Sequence, residues 1–310
     1  MFRRFTNRRW LFAIFMLALL SLFTVYFPQL DSININTSEE ADQPAHSNAI
    51  NGATSPSSSR SPTRPLQSAH AISGYTRTIV VAKLKAEDTT WVDSLVKSDR
   101  SITPAVYVVD DPQADLFVIK NKGHELMPYL TYIIDNYENL PNVTIFMHAH
   151  NATWHNNDFF NLSSETMVSQ LKIEHVIREG YMNLRCKHEP GCPNHIHPTV
   201  EDEGDIRAIP EAAVFGRAWK ELFPTEPVPV ALAQPCCSQF AVSSERIRAI
   251  PLPQYVFWRD WVLRTTLPDR LTGRVWEYLW QYIFTGKAVV CPDERICACQ
   301  GYGICSRENV

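Results

Sequence analysis

The residues best suited to chemistry lie in one short stretch, NVTIFMHAHNATWHNND, from Asn142 to Asp158. An apolar run leads into His148-Ala149-His150, with His155 and Asp158 just behind. On a strand, side chains two residues apart point the same way, so both imidazoles can face one site. Imidazole nitrogen suits zinc, iron(II) or manganese better than magnesium, and Asp158, Asp110 or Asp111 could add a carboxylate oxygen. The alternative is a pair of loop histidines hydrogen-bonded to backbone. Asn151, a glycosylation sequon just beyond His150, weighs against an open catalytic mouth if it carries a glycan.

The elements that position these histidines can be read upstream. TIVVAKL (Thr78–Leu84) is a short apolar strand, followed by a helix over DTTWVDSLVKS with Trp91, Leu95 and Val96 at helical spacing. ITPAVYVVDDP (Ile102–Pro112) predicts a second strand, and ADLFVIKNKG a third that ends at Asn121-Lys122-Gly123. HELMPYLTYIIDNYENL is an amphipathic helix in which Pro128 is tolerable only near the start. NVTIFMHAH is the next strand.

Short, wholly apolar strands separated by helices predict an α/β fold with a mostly parallel central sheet and helices on both faces. Ligands collect at the carboxyl ends of such strands. Lys83 and Lys85, Asp110 and Asp111, Asn121-Lys122-Gly123, and His148 with His150 all fall at those ends. The Asn121–Gly123 loop is a helix start whose free N–H groups could contact an anion.

The second half is less regular. Gln239–Val242 reads as a short strand, and the aromatic stretch Tyr255–Phe284 is mainly a core helix. Within it Glu277 is a candidate general base, or else a solvated helix carboxylate. The eight cysteines, Cys186, Cys192, Cys236, Cys237, Cys291, Cys297, Cys299 and Cys305, are even in number and suggest disulfides in an oxidising compartment. The Cys291–Cys305 run looks like a stapled cap, and adjacent Cys236 and Cys237 are expected to find separate partners. Zinc at Cys186, Cys192, His195 and His197 is the weaker alternative, because the spacing matches no standard finger.

The N-terminus adds a location. Arg3, Arg4, Arg8 and Arg9 precede an uncharged run, Trp10–Phe27, that reaches about 27 Å as a helix. It exits through Tyr-Phe-Pro-Gln rather than a small-residue cleavage site, so an uncleaved signal anchor is expected over 10–27. The arginines 1–9 would stay cytosolic and the rest would be lumenal, in the endoplasmic reticulum or Golgi. Residues 28–72, rich in Ser, Thr and Pro, predict a disordered stem. The folded part is expected over 73–310, in a first half (73–180), a second half (181–290) and a helical, Cys-rich cap (291–310). Sequons at Asn36, Asn142, Asn151 and Asn161 agree with lumenal exposure. The net charge of −4 over 310 residues offers no field for nucleic acid, which is excluded as a leading partner.

The order VVAKLKAED, YVVDDP, NKGHELMPYL and TIFMHAH resembles the nucleotide-sugar-binding half of GT-A glycosyltransferases, especially family-2-like enzymes. That resemblance covers roughly residues 70–180. FAVSSERIRAI is similar to their acceptor-side turn. More specifically, VVAKLKAEDTTWVDSL, CCSQFAVSSERI, TGRVWEYLWQYIF and the Cys-rich tail resemble a fungal family of uncharacterised proteins, domain of unknown function 3431, over roughly residues 75–305. The GT-A likeness implies a Rossmann-like sheet, a nucleotide sugar and a glycan acceptor, with 73–180 as the nucleotide-binding-like half and 181–290 as the acceptor-side half. It implies Asp110 or Asp111 on the nucleotide, and a divalent cation (Mn, Zn or Mg) on the diphosphate. This chain departs at the cation motif, where His-Ala-His replaces Asp-x-Asp. A metal-dependent hydrolase or oxygenase built on His148, His150, His155 and Asp158, or a non-catalytic binding protein, are the other readings.

Overall fold

A computed structural model describes residues 74–199 and 209–305, all within one compact unit, Ser68–Val310. Five strands form the sheet: β1 (Arg77–Lys83), β2 (Ile102–Val108), β3 (Val143–His148), β4 (Tyr181–Asn183) and β5 (Phe240–Ser243). Among the described residues, nine α-helices surround it. α1 (Thr90–Ser98) joins β1 to β2, and α2 (Leu126–Asn136) precedes β3. α3 (Ser164–Ser169) and α4 (Ile173–Glu179) lead to β4, and α5 (Ala212–Leu222) precedes β5. α6 (Ser244–Arg248), α7 (Leu252–Arg264), α8 (Asp269–Thr285) and α9 (Glu294–Tyr302) complete the chain.

The strand order is β2-β1-β3-β5-β4. β1 pairs in parallel with β2 and β3, as the apolar runs predict. β5 runs antiparallel to both β3 and β4, so the sheet is mixed rather than mostly parallel. The sequence hides this direction, because FAVS is buried at every position and reads alike either way. The expected strand in ADLFVIKNKG is also absent. Val118 is buried there, but Phe117 and Ile119 are 50% and 74% exposed, and β3 occupies the neighbouring place in the sheet.

Alternate strand residues build two cores. Val80, Phe146 and Val242 face α2, α5, α7 and α8, together with Trp219, Trp258, Trp276 and Trp280. Ile79, Val81, Ile145, Met147 and Ala241 face α1, α3, α4 and α9. Helices therefore cover both faces, as expected. α2 begins at Leu126, which places Pro128 in its first turn, where the missing N–H has no helical acceptor to lose.

All eight cysteines are paired: Cys186–Cys297, Cys192–Cys291, Cys299–Cys305 and, between neighbours, Cys236–Cys237. Separate partners for Cys236 and Cys237 are thereby corrected. Cys237 and Ser238 take positive φ angles of 94° and 49°, a tight turn that brings the adjacent sulfurs together. The zinc alternative falls too, because Cys186 and Cys192 are consumed in disulfides. The Cys-rich tail is not a self-contained cap: two of its cysteines fasten it to the 186–192 segment. The expected anchor (10–27), stem (28–72) and sequon Asn36 lie outside the described residues. Among the described residues, no helix is long and apolar enough to cross a membrane.

Candidate functional site

The carboxyl ends of β1 and β3 open on a pocket of about 430 Å³, lined by Lys83, Glu87, Asn121, Glu125, His148, His150 and His155 among others. β3 brings His148 to the floor, where it is half-buried. Ala149 then packs inward, and His150 emerges 65% exposed at the mouth. Both histidines line the same pocket, although the strand itself ends at His148.

The chain returns to deliver a third imidazole. Trp91 donates its indole N–H to the Ala149 carbonyl at 2.6 Å. Buried Asn156 donates to the carbonyl of Leu162 and the Ser164 hydroxyl at 2.7 and 2.8 Å. Asn157 donates to the Leu184 carbonyl and accepts from the Cys186 N–H, both at 2.8 Å. Gln239, immediately before β5, donates to the Asn156 side chain at 2.9 Å. These bonds satisfy a buried loop and fix its path. They set His155 against His148 with the two Nδ1 atoms 2.9 Å apart.

That distance requires one Nδ1 to carry a proton and the other a lone pair, so the two rings share one hydrogen bond. Burial disfavours the imidazolium in both rings; the charges of His150 and His124 add to this at His148, and those of His148 and Arg185 at His155. Both are pushed down to about 4, which leaves both neutral at physiological pH. His148 Nε2 is buried and has no hydrogen-bond partner among the described residues. The nearest carboxylate oxygen is Glu125 Oε1, at 3.9 Å. Burial raises the Glu125 carboxyl above its ordinary value. A neutral imidazole and a carboxyl biased toward its acid form therefore lie 3.9 Å apart on the pocket floor, group types that acid–base catalysis uses.

Other candidates fall in different places. Lys83 and Asn121 line the pocket. Gly123 has φ of 75°, and its N–H is bonded to Asp269 Oδ1 at 2.5 Å rather than left free for an anion. Lys122 is turned away and donates to the Thr265 carbonyl. Asp110 accepts from the Lys85 N–H at 2.7 Å, and Asp111 pairs with the Lys85 ammonium at 2.8 Å, so both organise the turn after β2. Asp158 does not line the pocket. It is 63% exposed and pairs with Lys187 at 2.9 Å, which holds its carboxyl below the usual range.

Glu277 is neither solvated nor in the pocket lining. It accepts the Cys237 N–H and an Arg274 N–H, each at 2.7 Å, and burial raises its carboxyl. Arg274 also pairs with buried Glu211 at 3.0 Å. Glu277 is thus a partner of the vicinal disulfide turn, not a base open to substrate. Glu125 is the residue that the sequence reading missed. Its signal was its place one residue before α2, at the carboxyl end of the sheet. Among the sequons, Asn142 and Asn161 are exposed. The Asn151 side chain accepts from the Glu165 N–H at 3.1 Å.

Among the described residues, only Cys236, Cys237 and Glu277 form a group of three ligand atoms within 4.8 Å, and those sulfurs are joined to each other. The pocket offers a two-atom cradle instead. His150 Nε2 and Glu87 Oε1 lie 3.5 Å apart at the mouth, close to the spacing of two atoms that share one cation at about 2.1 Å. Their nitrogen and oxygen donors fit zinc or manganese, with the remaining positions left to water or a substrate.

The comparisons with known proteins bear on the family. A family model described as "Protein of unknown function (DUF3431)" matches residues 79–300. The chain belongs to the DUF3431 family. The matched span runs from β1 into α9 and so contains the sheet, the three histidines, Glu125 and seven of the eight cysteines. No curated protein and no solved structure matches significantly.

Proposed function

We propose that this DUF3431 protein is a glycosyltransferase-like enzyme, anchored by residues 10–27 in a secretory-pathway membrane, that moves a sugar from a nucleotide sugar to a hydroxyl acceptor. The observation that carries this reading is the unpartnered, buried Nε2 of His148 beside Glu125, in a pocket at the carboxyl ends of parallel strands β1 and β3. Such strand ends are where open α/β sheets bind nucleotides. The pocket volume of about 430 Å³ suits part of a nucleotide sugar.

In this reading His148 Nε2 takes the acceptor proton as the acceptor oxygen bonds to the sugar carbon. The bond from that carbon to the diphosphate breaks, and its electron pair leaves with the diphosphate. His155 fixes the ring of His148 through the Nδ1 contact, and Glu125 faces the imidazolium that results. His150 and Glu87 would hold a divalent cation, which supplies positive charge for the departing diphosphate. Lys83 and Asn121 face the same volume and would orient the donor.

The test is calorimetric titration of the full chain with uridine, guanosine and cytidine diphosphate sugars, with and without Mn²⁺, Zn²⁺ or Mg²⁺. Saturable binding to one of them is expected, together with release of its nucleoside diphosphate that His148→Ala abolishes. Absence of binding to every nucleotide sugar under every metal condition overturns the proposal. A second reading, a metal-dependent hydrolase or oxygenase, is favoured by imidazoles standing where carboxylates would hold magnesium. Tight zinc or iron in the purified protein, without nucleotide binding, would select it.

A further inference from the structure

A larger cavity, of about 550 Å³, lies at the other edge of the sheet and shares no lining residue with the histidine pocket. Edge strand β4 forms one wall, α4 and α6 a second, and the segment from the end of α8 into α9 a third. The Cys186–Cys297 and Cys192–Cys291 disulfides fasten that last segment in place. Tyr181, Met182 and Val290 give the cavity apolar surface.

Its charge is one-sided. Arg178, Arg185, Arg246 and Lys287 line it, against a single carboxylate, Glu179. Glu179 is already engaged by Arg178, at 2.9 Å. The other three cations have no carboxylate partner among the ion pairs of the described residues. Arg246 is held by backbone instead: it donates to the Glu179 carbonyl at 3.4 Å and packs on Gly180. A Cβ at Gly180 would stand 2.7 Å from its Nε, so the φ of 79° and the missing side chain let this guanidinium lie flat there.

Arg185 is a structural member of the wall, its guanidinium carbon 5.5 Å from the centre of the Trp154 ring. It is 5% exposed, and its two terminal nitrogens donate to the carbonyls of Trp154 and Glu189. Its Nε–H is buried with no acceptor. Burying a guanidinium without a counter-charge is costly, so buried charges are ordinarily paired. Arg246 and Lys287 are thus exposed cations without carboxylate partners in a cavity with apolar walls, and buried Arg185 adds positive field from behind them.

We infer that this cavity is a binding site for a small organic anion, a phosphate or sulfate monoester whose charged group meets Arg246 and Lys287, in the field of buried Arg185, while its body lies against Tyr181 and Met182. Guanidinium groups match the oxygens of such esters in pairs, and the ammonium adds a point charge. The inference does not depend on the proposed transferase chemistry.

The experiment titrates the full chain at low ionic strength with phenyl phosphate, phenyl sulfate and the neutral phenyl glucoside. Saturable binding of one or both esters is expected, at least tenfold tighter than the glucoside, and the tighter ester identifies the anion. Lys287→Gln and Arg246→Gln, both exposed substitutions, should each weaken ester binding about two- to fivefold. His148→Ala should leave it unchanged, which separates this site from the histidine pocket. Ester binding no tighter than that of the glucoside, or unaltered by both cavity substitutions, overturns the inference. So does ester binding abolished by His148→Ala.

Discussion

His148 and His155 face each other through their Nδ1 atoms at 2.9 Å, seven residues apart in sequence and joined by a loop that buried asparagines hold rigid. The pairing makes one tautomer of each ring depend on the other. It leaves the far nitrogen of His148, on the pocket floor, without a hydrogen-bond partner among the described residues.

The pair sets a pH dependence. Both rings titrate at about 4 in the folded protein, against an ordinary value of 6.5. Between those limits the unfolded chain binds protons that the folded chain refuses, so this contribution to stability is complete above about pH 6.5 and is lost as pH falls toward 4. Glu125 and Glu277, raised by burial, act with the opposite sign as pH rises above the ordinary carboxylate range. Urea unfolding of the wild type and of His155→Asn should therefore give stability curves that converge as the pH is lowered from 6.5 to 4. Parallel curves would show that His155 is not held neutral.

Glu125→Gln keeps the shape and removes a carboxyl that burial already disfavours as an anion. Thermal unfolding should move by no more than a few degrees. Turnover of the donor identified by titration should fall about 10²–10⁴-fold, the range of a lost acid–base group. Equal loss of stability and activity would assign Glu125 to structure alone.

The disulfides should differ in weight. Cys186–Cys297 closes 111 residues of separation, whereas Cys236–Cys237 joins neighbours. Loss of the first, as Cys186→Ala/Cys297→Ala, should cost about 2–5 kcal/mol in denaturant unfolding; with Cys192–Cys291 intact it frees a loop of about a dozen residues in the unfolded chain, still far more than the vicinal pair closes. Loss of the second should cost much less. Its effect should show instead at Glu277, whose carboxylate accepts the Cys237 N–H. Equal costs for the two would show that loop length is not what separates them.

Phe146 sits at the centre of the aromatic core, with ring centroids 4.7 Å from Tyr129 and 4.8 Å from Phe240. Phe146→Ala should cost about 3–5 kcal/mol, from lost burial plus a residual cavity. Because Phe146 is two residues before His148, near-ultraviolet circular dichroism should report loosening around the site as well. A cost below about 1 kcal/mol would mean that the core refills the space.

The sequence exposes what periodicity and composition encode. β1, β2, β3 and α2 announce themselves through apolar runs and a helical stripe, and they carry His148 and His150 to the expected end of the sheet. The direction of β5 does not show, because a four-residue strand buried throughout has no polar face to orient it. ADLFVIKNKG misleads for the related reason that apolar residues make a strand only where a neighbour pairs with them. Glu125 escapes because its role depends on a 3.9 Å approach to a residue 23 positions away. Adjacent cysteines look unsuited to pairing until the left-handed turn at Cys237 and Ser238 brings them together. The burial of Arg185 shows only in the fold, where its guanidinium meets the carbonyls of Trp154 and Glu189.

The two long disulfides also impose a timetable. Cys186 and Cys192 wait for partners that lie 111 and 99 residues further along the chain. During synthesis, these thiols leave the ribosome long before Cys297 and Cys291, so an early oxidation step must leave them unspent or be undone. The two thiols lie six residues apart, so a bond formed early between them would have to open before either long pair could close.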